Sequence, residues 1–438
     1  MFAPSFKSKS CMINETCFWH TTVSNPTTGA DEPLPARVDV AVVGSGFTGL
    51  AAARELARRG ARVAVLEAET LGWGASSRNG GMVLNGLKLG AHTLLSRYGR
   101  ELAQRLFNAS RLAVNCVEQI VTDEQIDCDF ARRGHLAVAY KPKHMAEMET
   151  EAACLAREFN YRVQPVARAR LRAEIGSDVY YGGLVDENSA GLNPARYVHG
   201  LARAAAQAGA HLFEHTRVER ATREGQEFRI VTSRGMVRAS NLLVATSGYT
   251  GPFAPALRKR IIPIGSYIIA TEPLPEALAR ELSPRQRMIY DTKNFLYYFR
   301  LSPDRRMVFG GRAGFFPESP RVVRESAAIL RQGMVSVYPQ LRDVAVQYVW
   351  GGTLDFAFDR MPHVGHLEGV YYALGYAGHG VALATYFGSR LGAQIGGEAW
   401  DNPFAEIPFS GAPLGLYDGR PWFLPFVGAW FRFLDWAG

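Results

Sequence analysis

The stretch that decides the fold is Val38–Glu69, VDVAVVGSGFTGLAAARELARRGARVAVLEAE. Its β-branched opening run predicts a strand that leads straight into a glycine turn. The Ala-, Leu- and Arg-rich segment after the turn predicts a helix that ends at Gly60. A second apolar run, Val63–Leu66, predicts another strand, and Glu67 follows it directly. This order of strand, glycine turn, helix, strand and acid is typical of a dinucleotide-binding βαβ unit, and its full context disfavours an ordinary glycine turn.

Each part of this motif has a physical role in binding a pyrophosphate. Gly44 permits the tight turn, Gly46 lets the backbone approach the phosphates, and Gly49 lets the helix pack closely on the strand. The helix N-terminus offers free N–H groups and a partial positive charge. Glu67 can accept hydrogen bonds from an adenosine ribose and would repel a 2′-phosphate, so NADP fits poorly while FAD and NAD remain open. The residues expected to contact the dinucleotide here are Gly44, Gly46, Phe47, Thr48, Gly49, Glu67 and Ala68.

The next segment, Thr70–Met82, distinguishes between the two cofactors. It reads TLGWGASSRNGGM, and its four glycines exclude a regular helix or strand. Small residues let a loop approach a flat ligand closely, while Ser, Arg and Asn side chains can bind phosphate and ring atoms. An NAD dehydrogenase has no need of such a loop at this point, so the segment favours FAD. The expected contacts are Gly74, Ala75, Ser76, Arg78, Asn79, Gly80, Gly81 and Met82.

Three further blocks give the chain a family resemblance. They are LLVATSGY at Leu242–Tyr249, DRMPHVG at Asp359–Gly365, and YYALGYAGHGV at Tyr371–Val381. Together with the first two segments they resemble the D-amino-acid oxidase (DAO) family of FAD-dependent oxidoreductases, and within it the gamma-glutamylputrescine oxidoreductase branch. The likeness spans the chain from about Val38 to Trp422.

The resemblance implies an α/β fold in which a Rossmann-like FAD-binding domain of the glutathione-reductase type is interleaved with an α+β substrate domain. Alternation of apolar residues in the second domain predicts a mainly antiparallel sheet with one wet face that could roof the flavin. Helices are predicted over 97–122 and 197–209, and strands over 134–140, 211–213, 228–232, 241–245, 261–270, 295–301 and 307–311. The FAD-binding domain is expected at 36–86, 170–258 and 345–400, the substrate domain at 87–169 and 259–344, an amino-terminal arm at 1–35 and an aromatic tail at 401–438.

The later blocks are expected to complete the cofactor site. The glycine loop 375–380 and the helix that follows it can place N–H groups and a helix dipole near the flavin pyrimidine. His379 could add a donor, or its imidazole could face solvent or the core. Because no cysteine falls in these blocks, non-covalent FAD is predicted. The contacts expected from this part of the chain are Val218, Thr246, Gly248, Gly375, Tyr376, Gly378, His379, Gly380 and Val381.

The family resemblance implies oxidation of a C–N bond in an amine or amino acid. Hydride would pass to flavin N5, the imine would hydrolyse, and oxygen would reoxidise the flavin to give hydrogen peroxide. A gamma-glutamylputrescine-like or other polyamine-derived amine is the first expectation for the substrate. The alternatives are an amino-acid dehydrogenase that passes electrons to quinone or another acceptor, and a non-enzymatic flavin-binding or nucleic-acid-associated protein.

The candidate catalytic residues are less well defined than the cofactor contacts. Period-two alternation places Tyr298 and Arg300 on one face of a predicted strand and Tyr297 on the other. The resemblance implies that Arg300 binds a substrate carboxylate, although a salt-bridged or exposed strand residue is the alternative. Met82 stands where close relatives more often have glutamine, which makes a hydrophobic cradle for an aliphatic amine equally compatible. The catalytic candidates are thus Arg300, Tyr298, His379 and Met82.

Composition limits the other classes of function. The chain has 438 residues, a net charge of +8 and 42 arginines against 7 lysines, but the arginines are scattered, which disfavours a nucleic-acid surface. Without a long apolar stretch or a signal-peptide core, a cytoplasmic location is expected. The odd number of cysteines and their spacing predict free thiols and no metal site. A membrane-interface helix at Pro425–Trp436 is possible, but a tail packed on the body is favoured. The cysteines are Cys11, Cys17, Cys116, Cys128 and Cys154.

Overall fold

The computed structural model describes residues 13–24, 32–314, 319–412 and 415–437, without the side chains of 312–314 and 431–437. The strands are β1 Arg37–Val43, β2 Val63–Leu66, β3 Met82–Val83, β4 His135–Val138, β5 Gln164–Ala167, β6 Gly182–Asp186, β7 Ala190–Gly191, β8 His211–Phe213, β9 Val218–Glu224, β10 Glu227–Thr232, β11 Gly235–Val244, β12 Ile261–Thr271, β13 Met288–Asp291, β14 Tyr298–Leu301, β15 Met307–Gly314, β16 Val346–Ala357, β17 His363–Leu367 and β18 Val370–Leu374. The α-helices are α1 Phe47–Arg58, α2 Ala75–Arg78, α3 Ala91–Asp123, α4 Pro142–Phe159, α5 Pro194–Gln207, α6 Pro255–Arg258, α7 Glu276–Leu282, α8 Pro320–Val337, α9 Gly380–Ile395 and α10 Leu424–Ala437.

The first sheet confirms the Rossmann-like prediction. Its strands follow the order β17-β18-β11-β1-β2-β8, and β10 and β9 extend from β11 as an antiparallel pair. The central strands β11, β1, β2 and β8 run parallel, as crossover helices require. One face of β1 and β2 packs on α1, α3, α5 and α9, and the other face packs on β9 and β10. Burial on both faces explains why the strands of the opening motif read as nearly continuous apolar runs.

The second sheet confirms the predicted antiparallel architecture, but the predicted wet face is wrong. Ile268, Ala270 and Val308 on that face are buried in one cluster with Phe18 and Trp19 of the amino-terminal arm. Its order is β16-β12-β15-β14-β13-β4-β6-β5, and only the β13–β4 pair is parallel among these described strands. One face packs on α7 and α8 around Phe299, Phe309 and Leu330. The opposite face carries Tyr298 and Arg300 and lies against the segment predicted to hold the flavin. The fold class is therefore α/β with two interleaved sheets.

The strand pairing differs from the predicted domain boundaries at two places. β6 and β16 belong to the second sheet, although the boundaries at 170 and 345 assigned them to the FAD-binding domain. The residue pattern of a strand carries no signal for which sheet the strand joins, because only long-range pairing decides that. The division into domains stays a prediction, and a division along the sheets would move these two boundaries.

Several local predictions also need adjustment. The glycine-rich loop contains a four-residue helix, α2, and the two-residue strand β3, where the sequence predicted neither. The helix predicted at 97–122 is confirmed but starts earlier and bends at Gly99, which has a φ of 73°. Where it is described, the predicted amino-terminal arm packs on the body, because residues Phe18–Thr22 form a 3-10 helix with a fully buried Trp19.

The aromatic tail packs on the body only in part. The Tyr417 hydroxyl donates to the carbonyl of Ile261, and Leu424 is buried at the start of α10. Trp422 and Phe426 are exposed. No helix within the described ranges is long and apolar enough to cross a membrane.

Candidate functional site: a dinucleotide cradle under a polar roof

The first glycine turn is shaped by backbone contacts that exclude side chains. Gly44 has a φ of 100°, and a Cβ there would lie 2.9 Å from the carbonyl oxygen of Ala245. A Cβ at Gly49 would lie 2.0 Å from the oxygen of Gly44, so helix α1 can leave the turn only with glycine there. The first turn of α1 contains no acidic residue. Its N-terminus is therefore a suitable place for an anionic pyrophosphate.

Glu67 lies beside this turn, at the end of β2. Its carboxylate accepts hydrogen bonds from the Ser45 N–H at 2.9 Å, the Ser45 hydroxyl at 2.7 Å and the Glu69 N–H at 3.0 Å. These hydrogen bonds hold the Glu67 carboxylate at the carboxyl end of β2, beside the glycine turn. Ser45 was not among the predicted contacts, although it stands between two glycines of the motif.

The glycine-rich loop lies directly against the first turn. The Phe47 N–H donates to Ser76 Oγ at 3.0 Å, and a Cβ on Gly46 would lie 2.8 Å from the same oxygen. Asn79 Nδ2 donates to the carbonyls of Ala75 and Ser76, and its Oδ1 accepts from the Gly81 N–H at 2.7 Å. The predicted contacts Ser76 and Asn79 thus shape the loop itself.

The Arg78 guanidinium interacts with Trp73, although a side chain that binds phosphate needs its N–H groups free for the phosphate oxygens. Its Nε donates to the Trp73 carbonyl at 2.8 Å, and the guanidinium lies 4.5 Å from the centre of the Trp73 ring. Its predicted role in binding the cofactor stays a prediction.

The late glycine loop is held by a buried carboxylate. Asp355, on β16, accepts hydrogen bonds from the N–H groups of Gly375 at 2.6 Å and Tyr376 at 3.3 Å, and burial raises its pKa. The hydroxyls of Tyr376 and Thr48 share a hydrogen bond of 2.6 Å, which joins the late loop to helix α1. The sequence prediction missed Asp355. The available signal was that Asp355 is the only acidic residue of β16, between Leu354 and Phe356.

His379 precedes helix α9 as its N-cap residue. Its Nδ1 is buried and, within the described residues, has no hydrogen-bond partner. Burial, with a contribution from Lys88, lowers the pKa of His379 to about 4, so the imidazole is neutral near pH 7. An unpartnered buried nitrogen at a helix N-terminus fits a site in which a bound group supplies the missing partner.

The roof strand β14 points its side chains as the alternation predicts. The Tyr298 ring comes within 3.2 Å of the position a Cβ on Gly80 would take, and its hydroxyl shares a hydrogen bond with Ser266 Oγ. Tyr297 lies on the other face and packs on Phe309. Arg300 Nη1 donates to the carbonyls of Gly81 at 2.7 Å and Leu192 at 3.1 Å.

Arg300 is a buried cation, with 7% of its surface exposed. Burial lowers its pKa to about 10. It forms no ion pair in the part of the chain that the structure describes. A carboxylate from a ligand would satisfy such a group, because an unpaired buried charge is costly.

The other predicted contacts lie on several different elements. Met82 is half-buried and pairs with Gly191, while Val218 begins β9. The Thr246 hydroxyl bonds that of Thr250, and a Cβ on Gly248 would lie 2.8 Å from Thr353 Cγ2. Gly378 has a φ of 93°, and Gly380 and Val381 open helix α9.

FAD fits the residues assembled here. Glycines in the first turn and in the loop at 74–82 have no room for side chains, and the first turn of α1 contains no acidic residue. The Glu67 carboxylate follows β2 and lies beside the first glycine turn. Among the described residues there is no cluster of His, Cys, Asp and Glu that could hold a metal ion. Whether each predicted residue contacts FAD stays a prediction.

Comparison with known proteins identifies the family. Residues 39–394 match the family model described as DAO, FAD dependent oxidoreductase. The chain is 34% identical over 369 residues to the probable oxidoreductase OrdL of Haemophilus influenzae, covering 82% of this chain and 83% of that protein. It is 33% identical over 380 residues to gamma-glutamylputrescine oxidoreductase of Escherichia coli, covering 86% and 88%.

Solved structures agree with this fold. Glycine oxidase from Geobacillus kaustophilus has a TM-score of 0.73 at 21% identity, covering 86% of this chain and 99% of that one. L-proline dehydrogenase from P. horikoshii has a TM-score of 0.69 at 18% identity, covering 83% and 94%. The chain belongs to the DAO family of FAD-dependent oxidoreductases, and this confirms the predicted cofactor and the predicted class of enzyme, one that acts on C–N bonds of amines or amino acids.

Proposed function

We propose that this protein is an oxidase of an amine that also carries a carboxylate, with a gamma-glutamylputrescine-like compound as the first candidate. The observation that carries the proposal is the buried Arg300, which lies beside Gly81 of the flavin loop without an ion pair among the described residues. The 33% identity to gamma-glutamylputrescine oxidoreductase of Escherichia coli supports the same substrate class.

The protein's own residues would bind and orient the substrate. Arg300 would hold the carboxylate, and the Tyr298 ring would form part of the wall beside Gly80. The neutral His379 could accept or donate a hydrogen bond without adding charge. When bound, FAD would supply the redox chemistry: acceptance of a hydride from the carbon beside the amine nitrogen, and transfer of two electrons to oxygen, which yields hydrogen peroxide. Water would then hydrolyse the imine product to a carbonyl compound and an amine or ammonia.

Anaerobic bleaching of the yellow protein tests this proposal. The panel contains gamma-glutamylputrescine, putrescine, N-methyl amino acids, and D- and L-amino acids. We expect bleaching by a carboxylate-bearing amine and peroxide formation when air is admitted. Failure of every amine to bleach the flavin would contradict enzymatic amine oxidation.

Two variants test the role of Arg300. Arg300→Met should weaken binding of a carboxylate-bearing substrate about tenfold to a hundredfold, and putrescine, which has no carboxylate, serves as the matched control ligand. Arg300→Lys should retain part of the affinity because it keeps the charge but not the planar fork. Unchanged affinity for carboxylate-bearing substrates in Arg300→Met would refute the assignment.

A dehydrogenase that passes electrons to quinone is the second candidate. The exposed Trp422 and Phe426 of the tail favour it, because exposed aromatic residues suit a membrane interface. Turnover with an artificial acceptor but without peroxide in air would support this candidate over the oxidase. A cytoplasmic location and non-covalent FAD remain predictions, and yellow colour that stays with the polypeptide on a denaturing gel would refute the latter.

A further inference from the structure

The described part of the amino-terminal arm lies against the flavin loop. Residues Phe18–Thr22 form a 3-10 helix, and Cys17 and Trp19 are buried. These residues join Ile268, Val308 and neighbouring side chains of the second sheet in one apolar cluster. The arm therefore fills the space between the second sheet and the loop at 74–82.

Three side chains of the arm contact Ser77 and Asn79 of that loop. Trp19 Nε1 donates to the Asn79 carbonyl at 2.9 Å, and His20 Nε2 shares a hydrogen bond of 2.8 Å with Ser77 Oγ. Cys17 Sγ lies 3.7 Å from the Ser77 carbonyl oxygen, at the distance of a weak S–H donor. Burial lowers the pKa of His20 to about 4, so this contact is made by a neutral imidazole at pH 7.

The arm is also anchored on both sides of these contacts. Asn14 pairs with β16, because its N–H donates to the Gln347 carbonyl and its carbonyl accepts from the Val349 N–H. At the other end, Asn193 Nδ2 donates to Thr22 Oγ1 at 2.8 Å. In the middle, the Arg300 guanidinium lies 5.7 Å from the centre of the Trp19 ring. A segment fixed at both ends can transmit its position to the loop it contacts.

We propose that Cys17–Thr22 is a strap that holds the loop at 74–82 in its cofactor-binding shape before FAD arrives, with Trp19 and His20 as positioning residues. The proposal rests on the predicted role of this loop in binding FAD. A loop with glycines at 74, 80 and 81 loses much conformational entropy when it becomes ordered. Because the strap would already order the loop in the apoprotein, FAD binding would not have to offset that entropy loss. The strap acts through the loop and need not contact the cofactor.

Substitution of Trp19 tests the strap in the full-length apoprotein. Trp19→Phe keeps an aromatic ring and removes the indole N–H that bonds Asn79. We expect FAD binding, followed by quenching of flavin fluorescence, to weaken about three- to tenfold through the loss of one buried hydrogen bond. Trp422→Phe is the matched control, because Trp422 is 63% exposed and should leave the FAD Kd unchanged.

Variants of His20 keep the test decisive if Trp19→Phe does not fold. His20→Ala should weaken FAD binding and speed proteolytic cleavage within residues 74–82 of the apoprotein, while His20→Gln should restore both by supplying an amide near the Nε2 position. An FAD Kd and a cleavage rate at wild-type values in His20→Ala would overturn the strap. Both readouts are obtained without amine, so failure of the proposed substrate leaves them interpretable.

Discussion

Replacing Gly388 by alanine tests how the two helix N-termini of the cofactor site are held together. Gly388 lies in α9, and a Cβ there would come within 2.2 Å of the Thr48 carbonyl oxygen in α1. Carbon and carbonyl oxygen need roughly 3.3 Å, so the helices would have to separate by about 1 Å. Because α1 would carry the pyrophosphate and α9 would face the flavin, both ends of the site would shift together.

The expected cost follows from two opposing effects. Overpacking destabilises by about 1–3 kcal/mol, towards the upper end here because the opposing atom belongs to the backbone. Alanine regains about 1 kcal/mol of helix propensity over glycine. The net loss is therefore about 1–2 kcal/mol, which corresponds to roughly 1–2 °C in Tm for a chain of this length. We also expect FAD binding to weaken about tenfold, because the separated helix N-termini would no longer fit one cofactor and the binding energy lost would be about 1.4 kcal/mol.

Differential scanning fluorimetry with and without FAD, and an FAD titration of the apoprotein, measure these effects. Gly365→Ala is the matched control, because its added Cβ would meet nothing closer than Tyr372 Oη at 3.5 Å. A Gly388→Ala protein with wild-type Tm and FAD Kd would show that the helices yield without cost, and the reasoning would be refuted.

Three further predictions concern buried polar groups. Asp355→Ala leaves the Gly375 N–H without its acceptor and should lower the free energy of unfolding, measured in urea, by about 1.5–3 kcal/mol. Asp355→Asn should lose less. Equal stability of the wild type and both variants would contradict this prediction. Burial lowers the pKa of His379 to about 4, so as pH falls below 6.5 this histidine is protonated in the unfolded chain before it is protonated in the folded protein. Protonation therefore favours unfolding, and the wild-type Tm should fall more steeply between pH 6.5 and 4 than the Tm of His379→Asn. Identical pH profiles would exclude this contribution. Burial raises the pKa of the Cys17 thiol to about 12, so iodoacetamide at pH 8 should label Cys17 only after unfolding. Peptide mapping identifies the labelled cysteine, and rapid labelling of Cys17 in the native protein would disprove its burial.

Local sequence determined the dinucleotide unit nearly completely. The turn at Gly44, the helix after it and the acid at the end of β2 follow from apolar periodicity and glycine spacing within about thirty residues. The sequence also predicted that Tyr298 and Arg300 lie on the same face of their strand, because side-chain alternation along a strand is a local property. The family blocks then identified the cofactor and the class of enzyme.

Tertiary structure alone decided which distant residues complete the site. Asp355, on β16, accepts a hydrogen bond from the late glycine loop. Trp19 donates a hydrogen bond to Asn79 from a segment for which the sequence predicted only an arm. Arg300 uses part of its guanidinium on the carbonyls of Gly81 and Leu192, which no strand pattern reveals. The predicted boundaries placed β6 and β16 in the FAD-binding domain, and only the strand pairing shows that they join the second sheet. Such contacts depend on how separate elements pack against one another. The type of a residue indicates whether its side chain tends to be buried, but not which distant residue it will contact.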